Sequence, residues 1–338
     1  MPESQTQPGR FTERPPANWG LAGISFAALL GAFWVVARHF EISQRLGGHF
    51  PSAFASFALV LVPYWAFGFG AAHELSRWLR WPTARVLAPA LLVIPYLVFS
   101  LPRGEFQARY AAFFLVIPVG MAALLEWVPP HSQPGGRASF AWQDAVALAA
   151  VGVPVELRWV AGAWPGASAV PKLLLVDWAL YAYLVVRRLE DVGYDFRPRM
   201  RDVTIGMREW LFFAPIGIGL GLALAFIRFR PQAPAMGVAV AAWLITFFFV
   251  AIPEELFFRG LLLNLLEPRL GTTRALLLSS VIFGLSHFNK GAAFNWRYVL
   301  LATIAGIFYG RSWLDRRRLF SSSLTHTAVD VVWSLWFR

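Results

Sequence analysis

The chain contains no cysteine, which excludes disulfides, thiolate nucleophiles and cysteine-based metal sites. Any catalysis must therefore use carboxylates, imidazoles or hydroxyls. Charged residues are also scarce. They make up 14% of the 338 residues, against roughly a quarter in soluble domains, whereas 57% of the residues are apolar. Neither a Walker motif nor a glycine-rich phosphate loop is present, which argues against ATP dependence. This composition indicates a membrane protein.

The apolar residues fall into long runs that recur along the chain. A hydrocarbon core about 30 Å thick needs roughly 20 mostly apolar residues per helix. We therefore predict an all-α fold, a polytopic transmembrane helix bundle of about 8–11 helices, with a conical interior cavity in its C-terminal half. The predicted spans are residues 18–37, 51–72, 86–101, 110–126, 141–163, 171–186, 210–227, 236–263, 275–288, 298–314 and 320–337.

The formal net charge of +11 comes from basic residues in short segments between apolar runs, such as residues 187–208 and 311–318. Lysine and arginine collect in cytoplasmic loops, so we interpret them as topogenic and expect no nucleic-acid partner. The predicted divisions are a disordered tail (1–17), N-terminal helices of unassigned role (18–186), a basic cytoplasmic loop (187–209) and a C-terminal core (210–338).

The lipid bilayer is the expected surrounding of the whole chain. Because no retrieval signal or transit peptide is recognisable, we expect an integral membrane protein of a prokaryotic plasma (inner) membrane. The sequence gives no indication of oligomeric state.

A few ionisable side chains lie inside the apolar segments of the C-terminal core. Each costs several kcal/mol in the membrane and therefore requires a partner or a function. They occur in the strings PEELFFRG, FGLSHFN and LTHTAVD, on three separate predicted helices. These residues are Glu254, Glu255, Arg259, His287, His326 and Asp330.

Helical spacing sorts these residues, because side chains four apart share a face and adjacent ones diverge by about 100°. Glu255 is expected to pair with Arg259, and His326 to lie over Asp330. Glu254 then has no cation in its own helix and faces the bundle interior. With a rise of 1.5 Å per residue from the predicted cytoplasmic ends, Glu254 and His287 lie at about 18 Å depth, which allows the groups to meet.

A carboxylate and an imidazole that converge in a dry cavity could deprotonate a water molecule for attack on a peptide carbonyl. A second imidazole could stabilise the developing oxyanion. Alternatively, Glu254, His287 and His326 form a His₂Glu set that could bind zinc with an open fourth position. The residues leave both mechanisms open, so no cofactor is firmly predicted and a divalent metal such as zinc is possible.

The three strings resemble the motifs of the CPBP family of CAAX-processing and bacteriocin-processing (Abi) intramembrane proteases. Those motifs are E-E-x-x-x-R, then F-x-x-x-H, then H-x-x-x-N or a relative, and the resemblance extends from about Trp210 to Arg338. It implies a glutamic-type intramembrane endopeptidase whose metal requirement is disputed. In the implied roles, Glu254 and His287 activate the water, Glu255 and Arg259 support the site, and His326 and Asp330 form the oxyanion side.

Asp330 stands where the family often has asparagine. Because an ionised carboxylate repels an oxyanion, Asp330 must be protonated or must orient His326. The predicted function is hydrolysis of a peptide bond in a membrane-embedded or membrane-tethered substrate. The alternatives are a proton-coupled or ion-coupled carrier and a non-catalytic immunity or binding protein of the same family.

Overall fold

The computed structural model describes residues 17–39, 41–130, 137–167, 169–230, 234–291 and 295–337. In these ranges the chain is helical without a single strand, apart from one isolated bridge between Phe229 and Phe337. The predicted all-α fold is therefore confirmed. The predicted N-terminal tail lies outside the described residues except for Ala17.

The described residues up to Val186 form nine α-helices, together with short 3₁₀ or π-helical segments. These helices are α1 (Trp19–His39), α2 (Ile42–Leu46), α3 (Phe50–Phe67), α4 (Ala71–Trp78), α5 (Pro82–Leu87), α6 (Ile94–Ser100), α7 (Ala108–Trp127), α8 (Trp142–Glu156) and α9 (Ala169–Leu180). A 3₁₀ segment, Ala88–Val93, joins α5 to α6, and a π-helical turn, Tyr181–Val186, extends α9.

In the described residues after Arg199, one helix is followed by a long helical path that contains two π-helical segments, and three further helices follow that path. These helices are α10 (Met200–Ala223), α11 (Met236–Thr246), α12 (Ile252–Glu255), α13 (Asn264–Leu270), α14 (Thr272–Leu285), α15 (Trp296–Arg316) and α16 (Leu319–Trp336). π-Helical segments at Phe247–Ala251 and Leu256–Leu263 connect α11, α12 and α13 into one continuous helical path.

Helices long and apolar enough to cross a membrane confirm the polytopic architecture. Among the residues that the structure describes, seven segments meet this description: Trp19–His39, Ile42–Phe67, Pro82–Ser100, Ala108–Trp127, Ala169–Val186, Met200–Ala223 and Met236–Leu270. The other four predicted spans contain α8, α14, α15 and α16, which are shorter or less apolar. The chain is therefore an integral membrane protein.

The predicted basic loop 187–209 is helical from Met200 onward, ten residues before the predicted start of that span. This first turn is polar, but it packs against the protein, where Asp202 is buried and pairs with Arg318 at 2.9 Å. Burial acts to raise the pKa of Asp195 in the preceding segment, but hydrogen bonds from Arg197 and Arg318 outweigh it and hold that pKa below its usual value.

The helices of the C-terminal core approach one another closely where glycines face a neighbour. A Cβ atom on Gly284 of α14 would collide with Thr303 of α15, and one on Gly310 of α15 would collide with Leu276 of α14. Gly206 of α10 lies in the same way against α16. Small residues let membrane helices pack backbone to backbone, and here they draw α10, α14, α15 and α16 together.

Candidate active site

Glu254 lies at the centre of the polar cluster, in the short helix α12, directly after Pro253. Its side chain retains 27% of its accessible surface, and its Oε1 lies 3.6 Å from the Nζ of Lys290. Its Oε2 lies 3.9 Å from the Nε2 of His326, beyond hydrogen-bonding distance. Glu254 therefore presents a partly accessible carboxylate between groups from two other parts of the chain.

Glu255 and Arg259 form a fully buried ion pair. The Nη1 of Arg259 donates to the Oε1 of Glu255 at 3.0 Å, and its Nη2 donates to the carbonyl oxygen of Gly306 at 3.0 Å. The guanidinium lies over the ring of Phe283, 4.5 Å from its centroid. The predicted pair is present, and it also joins the helix that carries it to α14 and α15.

His326 is held by Glu255. Its Nδ1 lies 2.8 Å from the Oε1 of Glu255, and its ring stacks on Tyr309 with an interplanar angle of 15° and a centroid distance of 4.5 Å. The Nε2 lies 3.5 Å from the Oδ2 of Asp330 and 3.9 Å from Glu254. Each ring nitrogen of His326 thus faces a carboxylate.

The ring of His287 has a defined tautomer. Its Nδ1 lies 2.9 Å from the carbonyl oxygen of Phe283, which can only accept, so Nδ1 carries the proton. The Nε2 lies 3.3 Å from the Nζ of Lys290, which can only donate, so Nε2 is the acceptor. The ring is enclosed by Phe283 and Tyr298 at centroid distances of 4.8 and 4.6 Å.

Asp330 lies at the open side of the cluster, where its side chain keeps 31% of its accessible surface. A cavity of about 90 Å³ adjoins Asp330, His287 and His326. Most of its wall is apolar and belongs to α10, α15 and α16. Its lining includes Trp210, Phe213, Tyr298, Tyr309 and Trp333. The predicted cavity in the C-terminal half is therefore present beside both imidazoles.

The structure brings all the sequence-predicted site residues into one cluster, and it adds one that the sequence reasoning missed. Lys290 contacts both Glu254 and His287. Lys290 follows the end of the apolar run 275–288, so the cost of burying a charge inside such a run does not single it out. A weak signal was its position three residues after His287, in the string HFNK.

The candidate metal ligands do not fit a zinc site. The acceptor nitrogen of His287 is engaged by Lys290, whose ammonium also lies beside Glu254, so a cation already bridges two of the three proposed ligands. Within the described ranges, no group of three or more histidine, aspartate or glutamate side chains converges as a metal site.

Comparison with known proteins agrees with this cluster. Residues 236–332, which include every predicted site residue, match the family described as Type II CAAX prenyl endopeptidase Rce1-like. These residues are thus similar to that family. The predicted resemblance to CAAX-processing proteases is confirmed, and the match indicates an intramembrane endopeptidase. Helices α1 to α10 lie outside the matched residues. No curated protein and no solved structure matches the chain significantly.

Proposed function

We propose that the protein hydrolyses a peptide bond of a membrane-embedded or membrane-tethered substrate, with a water molecule activated by Glu254 and His287. The supporting observation is that the partly accessible carboxylate of Glu254 lies 3.9 Å from His326 and shares the contact of Lys290 with His287, while both imidazoles line a cavity. Such convergence of a base with a second imidazole suits attack on a carbonyl.

In the proposed first step, the water oxygen attacks the carbonyl carbon of the scissile bond and loses a proton to Glu254. His287 orients the water through its Nε2, because its Nδ1 proton is held by the Phe283 carbonyl. Lys290 must withdraw from that nitrogen before the water can use it. The products of this step are a tetrahedral oxyanion and a protonated Glu254.

In the proposed second step, the oxyanion is stabilised by the Nε2–H of His326. A carboxylate faces each nitrogen of this ring, which favours a proton on both nitrogens and hence a positively charged imidazolium. An imidazolium stabilises an oxyanion more strongly than a neutral imidazole does. The tetrahedral species then collapses, the carbon–nitrogen bond breaks, and Glu254 returns its proton to the leaving amine. The net reaction adds one water across one peptide bond.

Glu255 and Arg259 support this geometry without touching the substrate. Both are fully buried, and Glu255 fixes the Nδ1 of His326 while Arg259 fixes Glu255. Asp330 lies 3.5 Å from His326 and orients the same ring from its other side. Because Lys290 engages two of the three candidate metal ligands, the proposed mechanism uses the protein's own groups.

The test is Glu254→Gln, which removes the base but keeps the shape of the side chain. Wild type and variant are expressed in the same host membranes, and the protein termini present in each are compared by terminus-labelling mass spectrometry. We expect new termini with wild type and a loss of about 10²- to 10⁴-fold in their rate of appearance with the variant.

Glu105→Gln is the matched control, because it makes the same chemical change in the segment between α6 and α7, where Glu105 pairs with Arg103. It should leave the termini unchanged. If Glu254→Gln gives the same termini as wild type while inserting and accumulating normally, Glu254 is not the base. A carrier or a non-catalytic binding protein then becomes the better interpretation.

A further inference from the structure

The helical path that carries Glu254 contains a break in its hydrogen bonding. In the π-helical segment Phe247–Ala251, the N–H of Ile252 donates five residues back, to the carbonyl of Phe247. The next residue, Pro253, lies five residues after Phe248 and would donate to the Phe248 carbonyl in the same way, but proline has no N–H. The carbonyl of Phe248 therefore requires a partner from outside its helix.

That partner is Tyr64, on α3 in the first half of the chain. Its hydroxyl donates to the carbonyl oxygen of Phe248 at 2.5 Å, and its side chain is fully buried. Tyr64 lies far outside the residues that match the Rce1-like family. A helix with no assigned role thus completes the hydrogen bonding of the helix that carries Glu254.

Tyr64 is itself held rigidly. The hydroxyl of Tyr194 donates to the carbonyl oxygen of Tyr64 at 2.8 Å, and the rings of Tyr194 and Phe196 pack against it at 6.0 and 5.6 Å. Phe196 also contacts the ring of Phe248 at 5.9 Å. The hydroxyl of Tyr64 is therefore fixed relative to the carbonyl that it serves.

The position of this break determines which way Glu254 points. Glu254 follows Phe248 by six residues on the same helical path. A π segment holds one extra residue, and if the segment reverted to α-helix, the residues that follow it would rotate by about 100° about the helix axis relative to those before it. A rotation of that size would turn the Glu254 carboxylate away from His287 and His326.

We propose that Tyr64 is a positioning residue of the active site, which holds the π segment at Phe247–Ala251 and thereby directs Glu254 towards the two imidazoles. This inference rests on the proposed function of Glu254. It assigns to the N-terminal helices a direct part in setting the catalytic geometry, through a single hydrogen bond.

The test is Tyr64→Phe in the full-length chain in liposomes, assayed on a synthetic peptide that spans the cleavage site found with wild type. We expect kcat to fall about tenfold with KM within about twofold, because a misdirected base slows the chemical step but leaves substrate binding intact. Amide hydrogen exchange at residues 249–256 should rise in the same variant.

Tyr183→Phe is the matched control. Tyr183 is equally buried, and its hydroxyl also donates to a backbone carbonyl, that of Asp144, at 3.1 Å. It should leave kcat and exchange at residues 249–256 unchanged. A fall in kcat as large as that of Tyr64→Phe would show a general effect of lost stability and would overturn the proposal.

The Pro253→Ala variant provides a second test of the role of Tyr64. Pro253→Ala restores an N–H that can donate to the Phe248 carbonyl, so the hydroxyl of Tyr64 becomes redundant. Within this background, Tyr64→Phe should change kcat by less than about twofold. An equal fall in both backgrounds, or no fall in the wild-type background, would overturn the proposal. The exchange measurement needs no activity, so it tests the Tyr64 contact even if Glu254→Gln shows that the proposed function is wrong.

Discussion

Replacement of Arg259 by methionine tests the buried ion pair beneath the active site. Arg259 has no solvent exposure, and its guanidinium makes one hydrogen bond to Glu255 and one to Gly306, each of 3.0 Å. Methionine fills similar space without charge. Glu255 would then keep only His326 as a partner, with its Oε2 already unpaired among the described residues.

Removal of one partner from a buried ion pair typically costs about 3–5 kcal/mol, because the other charge is left uncompensated. We expect Arg259→Met to lower the free energy of unfolding by that amount. The measurement is unfolding in mixed micelles, followed by tryptophan fluorescence as a denaturing detergent replaces a mild one. A loss below about 1 kcal/mol would refute the inference that Arg259 compensates the Glu255 charge.

The double variant Glu255→Gln, Arg259→Met separates stability from catalysis. It removes both charges together, so most of the lost stability should return. The amide oxygen introduced by Glu255→Gln can still accept from the Nδ1 of His326. Without a carboxylate there, His326 is a weaker cationic donor, so kcat should stay about tenfold below wild type. Recovery of both stability and full activity would show that the pair serves packing alone.

Three further predictions concern groups around the site. Lys290→Met frees the Nε2 of His287 by removing a contact worth about 1 kcal/mol, so kcat in the peptide assay should rise up to about fivefold; a fall would show that the lysine charge is needed. Asp330→Asn removes one of the two carboxylates that favour a charged His326, so kcat should fall up to about tenfold; a loss beyond about a hundredfold would contradict a positioning role for Asp330. Prior removal of divalent metal with a chelator should leave kcat unchanged, whereas a loss restored by zinc would favour the His₂Glu alternative.

Local relations along the chain were predictable from the sequence. The long apolar runs predicted the helices because the bilayer requires about 20 apolar residues for each crossing. The pair between Glu255 and Arg259, and the proximity of His326 to Asp330, followed from four-residue spacing on one helix. Both contacts join residues about one helical turn apart, so they depend little on the rest of the fold. The start of α10 was misplaced, because the polar turn at Asp202 is buried by a partner more than a hundred residues away.

Contacts between distant segments were decided only by the tertiary structure. The bond from His326 to Glu255 and the bond from Arg259 to the Gly306 carbonyl depend on how closely α14, α15 and α16 approach the helix that carries them. No spacing along the sequence shows that Lys290 reaches Glu254. The sequence by itself determined which residues could perform the chemistry, because chemistry depends on residue type. Packing decided which carboxylate holds the Nδ1 of His326 and which helix completes the bonding before Pro253, because both depend on groups brought together from far along the chain.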